Sequence, residues 1–468
     1  MKYGNSVILA SSLGSFLSVV NSTSLLIAIP TIMVDLDTSF FMVLWILISY
    51  SLTLTVFSPI FGKYSDRIGR KKLYSSGYIF FFVGSIIAGS SPNSNILVIS
   101  RAIQGVGGAL LFSNSLAIIT DTFKAIDLKR AIAINAAVIG FGTAVGPIVG
   151  GLLTVLNWRS IFFFNAPIAL IGYVVSWRYL KEISREHESR RFDYGGAALF
   201  SAFMVLVIVP VSMGPFIGWT DPPIPIMLVL SVVSLLVFAV IEGRTEDSMI
   251  STELFRNRIF SYAALSTLLN SVSRYSLIFI LILYLQGPAG FSPMITGFLM
   301  IPYAGSMGAM SYYSSLLMDH ASGKLLQVAG LLLVSVGAFL FTFSISVFNY
   351  IPIAILMIVT GLGIGIFYTP NNSALMLSVR PGNRGVAAAI RTLFLNMGSV
   401  IGMTMVFTVV ASFVSMQTVG DIFLGTLITG IRVPTSAFTE GLVIAFVVSG
   451  LFSLIAVPLI VKKARQSS

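Results

Sequence analysis

Long apolar stretches recur along this chain, and their length limits the folds that it can adopt. Fourteen of them approach or exceed the roughly 20 residues that a helix needs to cross a bilayer. Only 10% of the 468 residues are charged, whereas a water-soluble domain has about 25%. We therefore predict an all-α polytopic membrane protein, with spans near residues 7–33, 41–62, 73–90, 95–120, 131–156, 160–180, 193–213, 224–242, 259–285, 293–318, 324–346, 351–377, 385–412 and 438–461.

Positive charges are distributed unevenly between the predicted loops. With the N-terminus inside, the inner segments hold 23 of the 28 lysines and arginines, and the outer loops hold Arg159 and Arg432. Inner loops of membrane proteins are enriched in lysine and arginine. We therefore predict a multi-pass protein of the plasma membrane with both termini cytoplasmic and the first span retained. This topology also accounts for the net charge of +11, so we expect no nucleic-acid partner.

The predicted spans divide into two bundles of six. The first bundle covers residues 1–180, the second covers 259–468, and the linker 181–258 holds spans seven and eight. Equal numbers of helices in two halves are typical of transporters built from repeats, which rock around a midplane site. We predict two pseudo-symmetric six-helix bundles joined by two linking helices.

Residues that carry enzymatic or metal chemistry are scarce. The chain has no cysteine, and its two histidines are far apart in sequence. Gly361, Gly363 and Gly365 have a dinucleotide-like spacing, but they fall within a predicted helix rather than after a strand. We expect no enzyme activity, no cofactor and no metal. A sensor with a transporter fold stays open as an alternative, because fold does not fix function.

The loop between spans two and three places an Asp-Arg pair between two glycines. Glycine permits close helix approach and tight turns. The segment 62–73 resembles the loop signature of the major facilitator superfamily, with Tyr64 where that family usually has leucine. The resemblance implies a gating role for this loop and a contact of Asp66 with the start of span thirteen near Arg384 and Gly385. The gating residues that it implies here are Gly62, Asp66, Arg67, Gly69 and Arg70.

Span four carries an arginine inside an apolar stretch. Arg101, Gln104, Gly105 and Gly108 are spaced i, i+3, i+4 and i+7, so they share one helix face. The segment resembles the fourth-helix motif of the same superfamily, which implies a functional arginine. Snorkelling of Arg101 to the nearer interface stays open as the alternative.

Span five contains glycines at four-residue spacing around a proline. Such glycines allow two helices to approach closely, and a proline kinks the helix. The segment resembles the motif associated with antiporters in this superfamily, which favours export over uptake. Its candidate conformational residues are Gly142, Gly146, Pro147, Gly150 and Gly151.

Further segments narrow the resemblance to one branch of the family. Together with the fourteen spans, they are similar to the drug:proton antiporters with fourteen helices, and the likeness covers nearly the whole chain. The segments are 158–167, 242–257, 370–372 and 384–402.

The first span departs from that branch. Its motif there runs Leu-Asp-x-Thr…Pro, and alignment on Thr23 and Pro30 puts Asn21 at the aspartate. None of the 17 acids lies in the middle of a predicted span. We therefore treat Asn21 as a candidate coupling residue that lacks the acid, and Glu440, at a span end, as the candidate replacement.

The remaining intramembrane charges are cationic. Arg274 lies about 15 residues into span nine, on one face with Ser266, Asn270 and Ser273, and Arg391 lies within span thirteen. An arginine inside a membrane faces a cavity or a partner. Asn270 and Arg274 are therefore candidates for substrate binding, and a structural arginine bonded to carbonyls is the alternative.

These observations predict a secondary transporter that exports small amphipathic or drug-like compounds by alternating access and proton antiport. The alternative is an uncoupled or differently coupled carrier for organic anions or neutral metabolites. The expected partners are a small-molecule substrate, protons and the lipid bilayer, and the expected state is a monomer.

Overall fold

The computed structural model describes residues 2–123, 125–182, 193–243, 252–345, 349–380, 384–415, 418–420, 422 and 436–464. These ranges form helices joined by turns, with no strand among them. In chain order the helices are α1 (Lys2–Ile27), α2 (Ile29–Asp35), α3 (Phe40–Ile68), α4 (Arg70–Gly89), α5 (Ser94–Thr122), α6 (Ala125–Leu156), α7 (Ser160–Tyr179), α8 (Tyr194–Ile217), α9 (Pro223–Glu242), α10 (Thr252–Arg256), α11 (Arg258–Gln286), α12 (Pro293–Leu299), α13 (Ile301–Leu317), α14 (Gly323–Ser344), α15 (Tyr350–Leu377), α16 (Arg384–Ala411) and α17 (Ser436–Ala464).

Thirteen of the described helices are long and apolar enough to cross a membrane, and a broken helix supplies one further crossing. The span predicted at 293–318 is divided into α12 and α13 at Met300, because Pro302 has no N–H to donate to the preceding turn. Pro30 interrupts the first predicted span in the same way, so α2 begins at Ile29. The predicted polytopic all-α fold is confirmed.

The connection between α3 and α4 is shorter than the sequence suggested. We expected Asp66 in a loop, but it lies in the last turn of α3, which continues to Ile68. The chain turns at Gly69, whose φ of 113° belongs to the left-handed region that favours glycine. A single glycine therefore makes the turn for which we had allowed several residues.

The two halves pack their helices in the same pattern. In the first half α5 packs between α3 and α4, and in the second half α15 packs between α13 and α14. The pair α4–α7 corresponds to α14–α17, and α1–α6 corresponds to α11–α16. This correspondence is the pseudo-symmetry that the even helix count predicted.

The halves meet along two seams. In one seam α6 packs on α12 and α13, and in the other α3 packs on α16. The linking helices α8 and α9 pack on each other, and α8 also contacts both α3 and α16. The extra pair therefore flanks one of the two seams.

Two apolar clusters close the interface between the halves. We call the face where α1 begins and α17 ends the near face, and the opposite face the far face. The far seal joins the far ends of α1, α3, α11 and α16, with residues such as Leu26, Leu44 and Leu281. The near seal joins the near ends of α5, α6, α11 and α16, with residues such as Ile119 and Phe260. The protein is therefore closed towards both faces.

Candidate functional site

A cavity lies between the near seal and the far seal, and both halves line it. Its free volume in this conformation is about 20 Å³, which is close to what one bound water molecule needs. Polar and aromatic side chains dominate its wall, which includes Ser22, Tyr50, Arg101, Tyr275, Asn396 and Ser399. A cavity at the interface of two repeats, closed on both faces, is the position at which repeat-built transporters hold a substrate.

Arg101 is buried in the wall of this cavity. Its Nη1 donates to Oε1 of Gln104 at 2.7 Å, and its Nε donates to the carbonyl of Ile46 at 3.3 Å. Its guanidinium lies 4.5 Å from the ring centroid of Tyr50. Gln104 in turn donates to Ser85 at 2.8 Å. Arg101 is therefore 1% exposed and satisfied within the bundle, which excludes snorkelling to the interface.

Asn21 and Asn165 form a buried amide pair next to the cavity. Nδ2 of Asn165 donates to Oδ1 of Asn21 at 3.0 Å. Nδ2 of Asn21 and Oδ1 of Asn165 have no hydrogen-bond partner. The Asn21 side chain also neighbours the hydroxyl of Tyr50, the residue that stacks on Arg101. A neutral polar network thus occupies the place where the family resemblance implies an acid.

The second half holds the other two buried arginines beside tyrosines. Nε of Arg391 donates to Oδ1 of Asn372 at 2.6 Å, and its Nη2 donates to the hydroxyl of Tyr368 at 2.5 Å. The guanidinium of Arg274 lies 4.4 Å from the ring centroid of Tyr275. Tyr275 and Tyr368 belong to one small apolar cluster that both halves share. The arginines of the second half therefore lie behind an aromatic wall of the central interface.

Of the candidate residues, Arg101 lines the cavity, whereas Asn270 and Glu440 lie apart from its wall. Asn270 is buried, and its Nδ2 has no hydrogen-bond partner, as is also true of the hydroxyls of Ser266 and Ser273 on the same face. Glu440 is exposed near the start of α17. The structure thus leaves Asn270 in the interior and places Glu440 on the surface.

Carboxylates are absent from the described part of the cavity. Among the described residues, the buried carboxylates include Glu242, which ends α9, and Asp121, near the end of α5, and neither lines the cavity. The three arginines inside the bundles therefore face phenols and amides rather than acids. Because charges act strongly in a low-dielectric interior, we expect Arg101 to give the cavity a positive electrostatic potential.

The glycines of α6 bring that helix against both halves. A Cβ atom on Gly146 would overlap the hydroxyl of Thr23 and lie 2.9 Å from its Cβ. A Cβ atom on Gly150 would overlap the backbone of Ser24. Gly151 lies against the backbone of Pro293 on α12. Side chains at these positions would separate α6 from α1 and α12, and Gly142 lies against Phe16 with more room.

Two further contacts of α6 follow the same pattern. The carbonyl of Pro147 would lie 2.6 Å from a Cβ atom on Gly297, and Gly140 faces Gly308. The helix therefore joins the halves along a seam in which backbones touch directly.

Charged residues hold the near-face ends of the first bundle together. Nη1 of Arg70 lies 3.1 Å from Oδ2 of Asp121, and both side chains are 5% exposed. The carboxylate of Glu182 accepts hydrogen bonds from the backbone N–H groups of Lys71 and Lys72, where the α4 dipole favours an anion. Gly69 contacts the same carboxylate.

The gating contact expected from the family resemblance involves side chains outside the described part of the structure. This applies to Asp66 and to Gly385. Arg67 is exposed and Gly62 is buried within α3. The contact of Asp66 with the start of α16 therefore stays a prediction.

At the far face, α2 is tied to α7. Oδ2 of Asp35 accepts from Nε1 of Trp158 at 2.9 Å and also pairs with Arg159. These hydrogen bonds, from Trp158 and then from Arg159, hold the pKa of Asp35 below its usual value. Arg159 also stacks on Trp158 and donates to the carbonyl of Ser91.

Sequence reasoning missed the tyrosines of this site. Tyr50, Tyr275, Tyr303 and Tyr368 are buried around the three arginines. Tyrosine is common in membrane proteins, so its position gave no signal by itself. The useful signal is the combination: a buried arginine without an acid takes phenol oxygens and aromatic faces as its partners.

Comparisons with known proteins agree with this architecture. The family model described as Major Facilitator Superfamily matches residues 11–403. The chain is 28% identical over 410 residues to the riboflavin transporter RibZ of Clostridioides difficile (strain 630), which covers 85% of this chain and 86% of that protein. It is 29% identical over 417 residues to the multidrug resistance protein Stp of Mycobacterium tuberculosis (strain ATCC 25618 / H37Rv), covering 87% of this chain and 76% of that protein.

A solved structure has the same fold. The human organic anion transporter MFSD10 (TETRAN) superposes with a TM-score of 0.66, over 98% of this chain and 99% of that chain, at 15% sequence identity. At this identity the likeness concerns the fold alone. The fold agrees with the family resemblance of the sequence motifs, and the relatives named as multidrug resistance proteins are consistent with its drug:proton antiporter branch.

Proposed function

The chain belongs to the major facilitator superfamily, and we propose that it exports small amphipathic or drug-like compounds by alternating access. The single observation that carries the proposal is the cavity between the halves, which apolar seals separate from both faces. Opening of the near seal admits a compound from one side, and opening of the far seal releases it on the other. The relatives named as multidrug resistance proteins support the substrate class.

We place the protein in the plasma membrane as a monomer, with the near face cytoplasmic. The concentration of lysine and arginine in the loops of that face supports this orientation. Residues 1–180 and 259–468 then act as the two rocking units, and residues 181–258 flank one seam between them.

Proton antiport is the coupling that the family resemblance implies. A second candidate is an uncoupled or differently coupled carrier for neutral metabolites or organic anions. It is favoured by the Asn21–Asn165 amide pair and by the absence of a carboxylate from the described part of the cavity wall. The relative named as a riboflavin transporter supports a neutral aromatic solute.

Solute counterflow in proteoliposomes tests transport itself. The purified chain is reconstituted, the vesicles are loaded with one solute of a drug-like panel, and uptake of the labelled solute is followed. Uptake above that of protein-free vesicles is the expected result. If no solute of a broad cationic, neutral and anionic panel exchanges, the alternative of a sensor with a transporter fold replaces this proposal.

A further inference from the structure

Arg274 differs from the other two buried arginines in the groups that surround it. Arg101 and Arg391 each donate hydrogen bonds to oxygens of neighbouring helices. Arg274 is 3% exposed, and among the described residues its hydrogen-bonding neighbour is the phenol of Tyr275 on the same helix rather than a carboxylate, carbonyl or amide oxygen. A buried charge without such an acceptor is costly. One phenol satisfies only part of the five N–H groups of a guanidinium, so Arg274 can also bind an acceptor that is not part of the chain.

Tyr303 supplies a second donor at the same place. Its side chain is 1% exposed, and its hydroxyl has no hydrogen-bond partner. It is an electrostatic neighbour of Arg274. The remaining N–H groups of the Arg274 guanidinium and the hydroxyl of Tyr303 are complementary to the two oxygens of an acidic group, and arginine binds carboxylates in a bidentate geometry.

This pair lies directly behind the wall of the central cavity. The ring of Tyr275 forms part of that wall, and the guanidinium of Arg274 lies 4.4 Å from the centroid of the ring. On the opposite half the cavity presents Tyr50 and Arg101. The ring of Tyr275 therefore lies between the cavity and Arg274, and the cavity itself offers aromatic faces on both sides.

We propose that Arg274 and Tyr303 form a subsite for the acidic group of the substrate, and that the substrates are aromatic carboxylates. When a seal opens and the cavity widens, the ring of such a compound packs between Tyr50 and Tyr275, and its carboxylate accepts hydrogen bonds from Arg274 and from the hydroxyl of Tyr303. The inference rests on the proposed function, because it names the substrate class of the same cavity. A site built around donors rejects an analogue that lacks the matching acceptor or charge.

Binding to the purified full-length chain tests the subsite without transport. Three probes of the same shape differ in charge: 2-naphthoate is an anion, 2-naphthamide is neutral and 2-naphthylmethylammonium is a cation. By titration calorimetry at neutral pH we expect the carboxylate to bind about tenfold more tightly than the amide, which is the effect of one hydrogen bond to a charged group. The cation should bind most weakly.

Substitutions of Arg274 and Tyr303 test whether these residues cause the preference for naphthoate over naphthamide. Arg274→Gln should lower the affinity for naphthoate about tenfold and leave the affinity for naphthamide unchanged, and Tyr303→Phe should have a smaller effect of the same kind. Equal binding of naphthoate and naphthamide by the wild-type chain would overturn the proposal. So would an Arg274→Gln variant that keeps the preference for naphthoate.

Thermal unfolding separates this role from a structural one. Arg274→Met should leave the Tm of the ligand-free protein unchanged or raise it, because the variant removes a buried charge that has no oxygen acceptor from neighbouring helices. The matched control, Arg391→Met, should lower the Tm, because it removes the hydrogen bonds to Asn372 and Tyr368. An equal fall in both variants would show that Arg274 is structural.

The transport assay distinguishes the two levels of the proposal. Exchange of naphthamide without any exchange of naphthoate would refute the subsite and leave the exporter standing. Absence of exchange for every solute would refute the proposed export function. The calorimetric comparison would still decide whether Arg274 and Tyr303 bind a carboxylate.

Discussion

Asn21 accepts a hydrogen bond from Asn165 at 3.0 Å, and this contact ties α1 to α7 beside the central cavity. Both amides are fully buried, and each leaves one polar atom without a partner. An amide cannot take up and release a proton in the physiological range, so this pair cannot cycle with a proton gradient. The cavity instead has Arg101 as its fixed charge.

An acid at position 21 should therefore strengthen proton coupling. We expect the wild type to show weak stimulation of solute efflux by a pH gradient, and Asn21→Asp to show stimulation several-fold larger. Efflux from proteoliposomes with and without an imposed gradient measures the effect. Strong proton antiport by the wild type that survives Glu440→Gln would show that another group carries the proton.

Close contact between α6 and α1 should be essential for transport. Gly146→Leu should abolish transport, because even a Cβ atom at this position would overlap Thr23. Overpacking of this kind costs about 1–3 kcal/mol of folding free energy, so expression and Tm are measured alongside flux. Gly305→Leu is the matched control, since no heavy atom lies within 4 Å of its added Cβ. A Gly146→Leu variant that transports like Gly305→Leu would refute the requirement.

Asp66 should control how readily the near seal opens. By family resemblance, we predict that Asp66→Asn favours the conformation open at the near face and slows transport, while the Tm stays within the wild-type range. The chain has no cysteine, so a single Ala388→Cys substitution in the near seal reports opening through its labelling rate. We expect faster labelling when Asp66→Asn is added. Identical labelling and transport rates in the two backgrounds would contradict a gating role.

The far-face contact of Asp35 should make stability depend on pH. The pKa of Asp35 lies below its ordinary value of 3.8, so the ionised form stabilises the fold. That contribution is present above pH 3.8 and is lost as the pH falls through the lowered pKa. We expect Asp35→Asn to lower the free energy of unfolding at neutral pH by less than about 1 kcal/mol, because the group is exposed, with a small fall in Tm. In strong acid the variant should match the wild type.

The neighbouring Asp37 provides the control for this measurement. Its side chain is exposed, and Asp37→Asn should leave the Tm unchanged at either pH. A difference between wild type and Asp35→Asn that persists in strong acid would show that the hydrogen bonds do not depend on the ionised carboxylate.

The length and periodicity of the apolar stretches were sufficient to predict the helices. They were not sufficient to predict which residues contact the buried charges. Apolar stretches of spanning length predicted the crossings, and the four-residue glycine spacing predicted close packing of α6. Arg101 and Gln104 could be paired because they are three residues apart on one helix. The helix breaks near Pro30 and Pro302 were not predicted, because apolar residues flank both prolines and each stretch reads as one continuous span.

Partners from different helices depend on tertiary packing. The contacts of Asn21 with Asn165 and of Arg391 with Tyr368 join residues 144 and 23 positions apart. Nothing in the local sequence specifies which polar groups of two helices face each other. The position of Glu440 shows the same limit, because a span-end acid can point inwards or outwards, and here it is exposed.

The most direct test of the account is solute efflux from proteoliposomes for matched anionic, neutral and cationic compounds, with and without a pH gradient. We predict efflux of the anionic and neutral aromatic compounds, little dependence on the gradient, and little or no efflux of a permanent cation such as ethidium. Arg274→Ala should impair the anion more than the neutral compound. Robust gradient-driven efflux of ethidium, unchanged in Arg274→Ala, would contradict the account and indicate an ordinary exporter of cationic drugs.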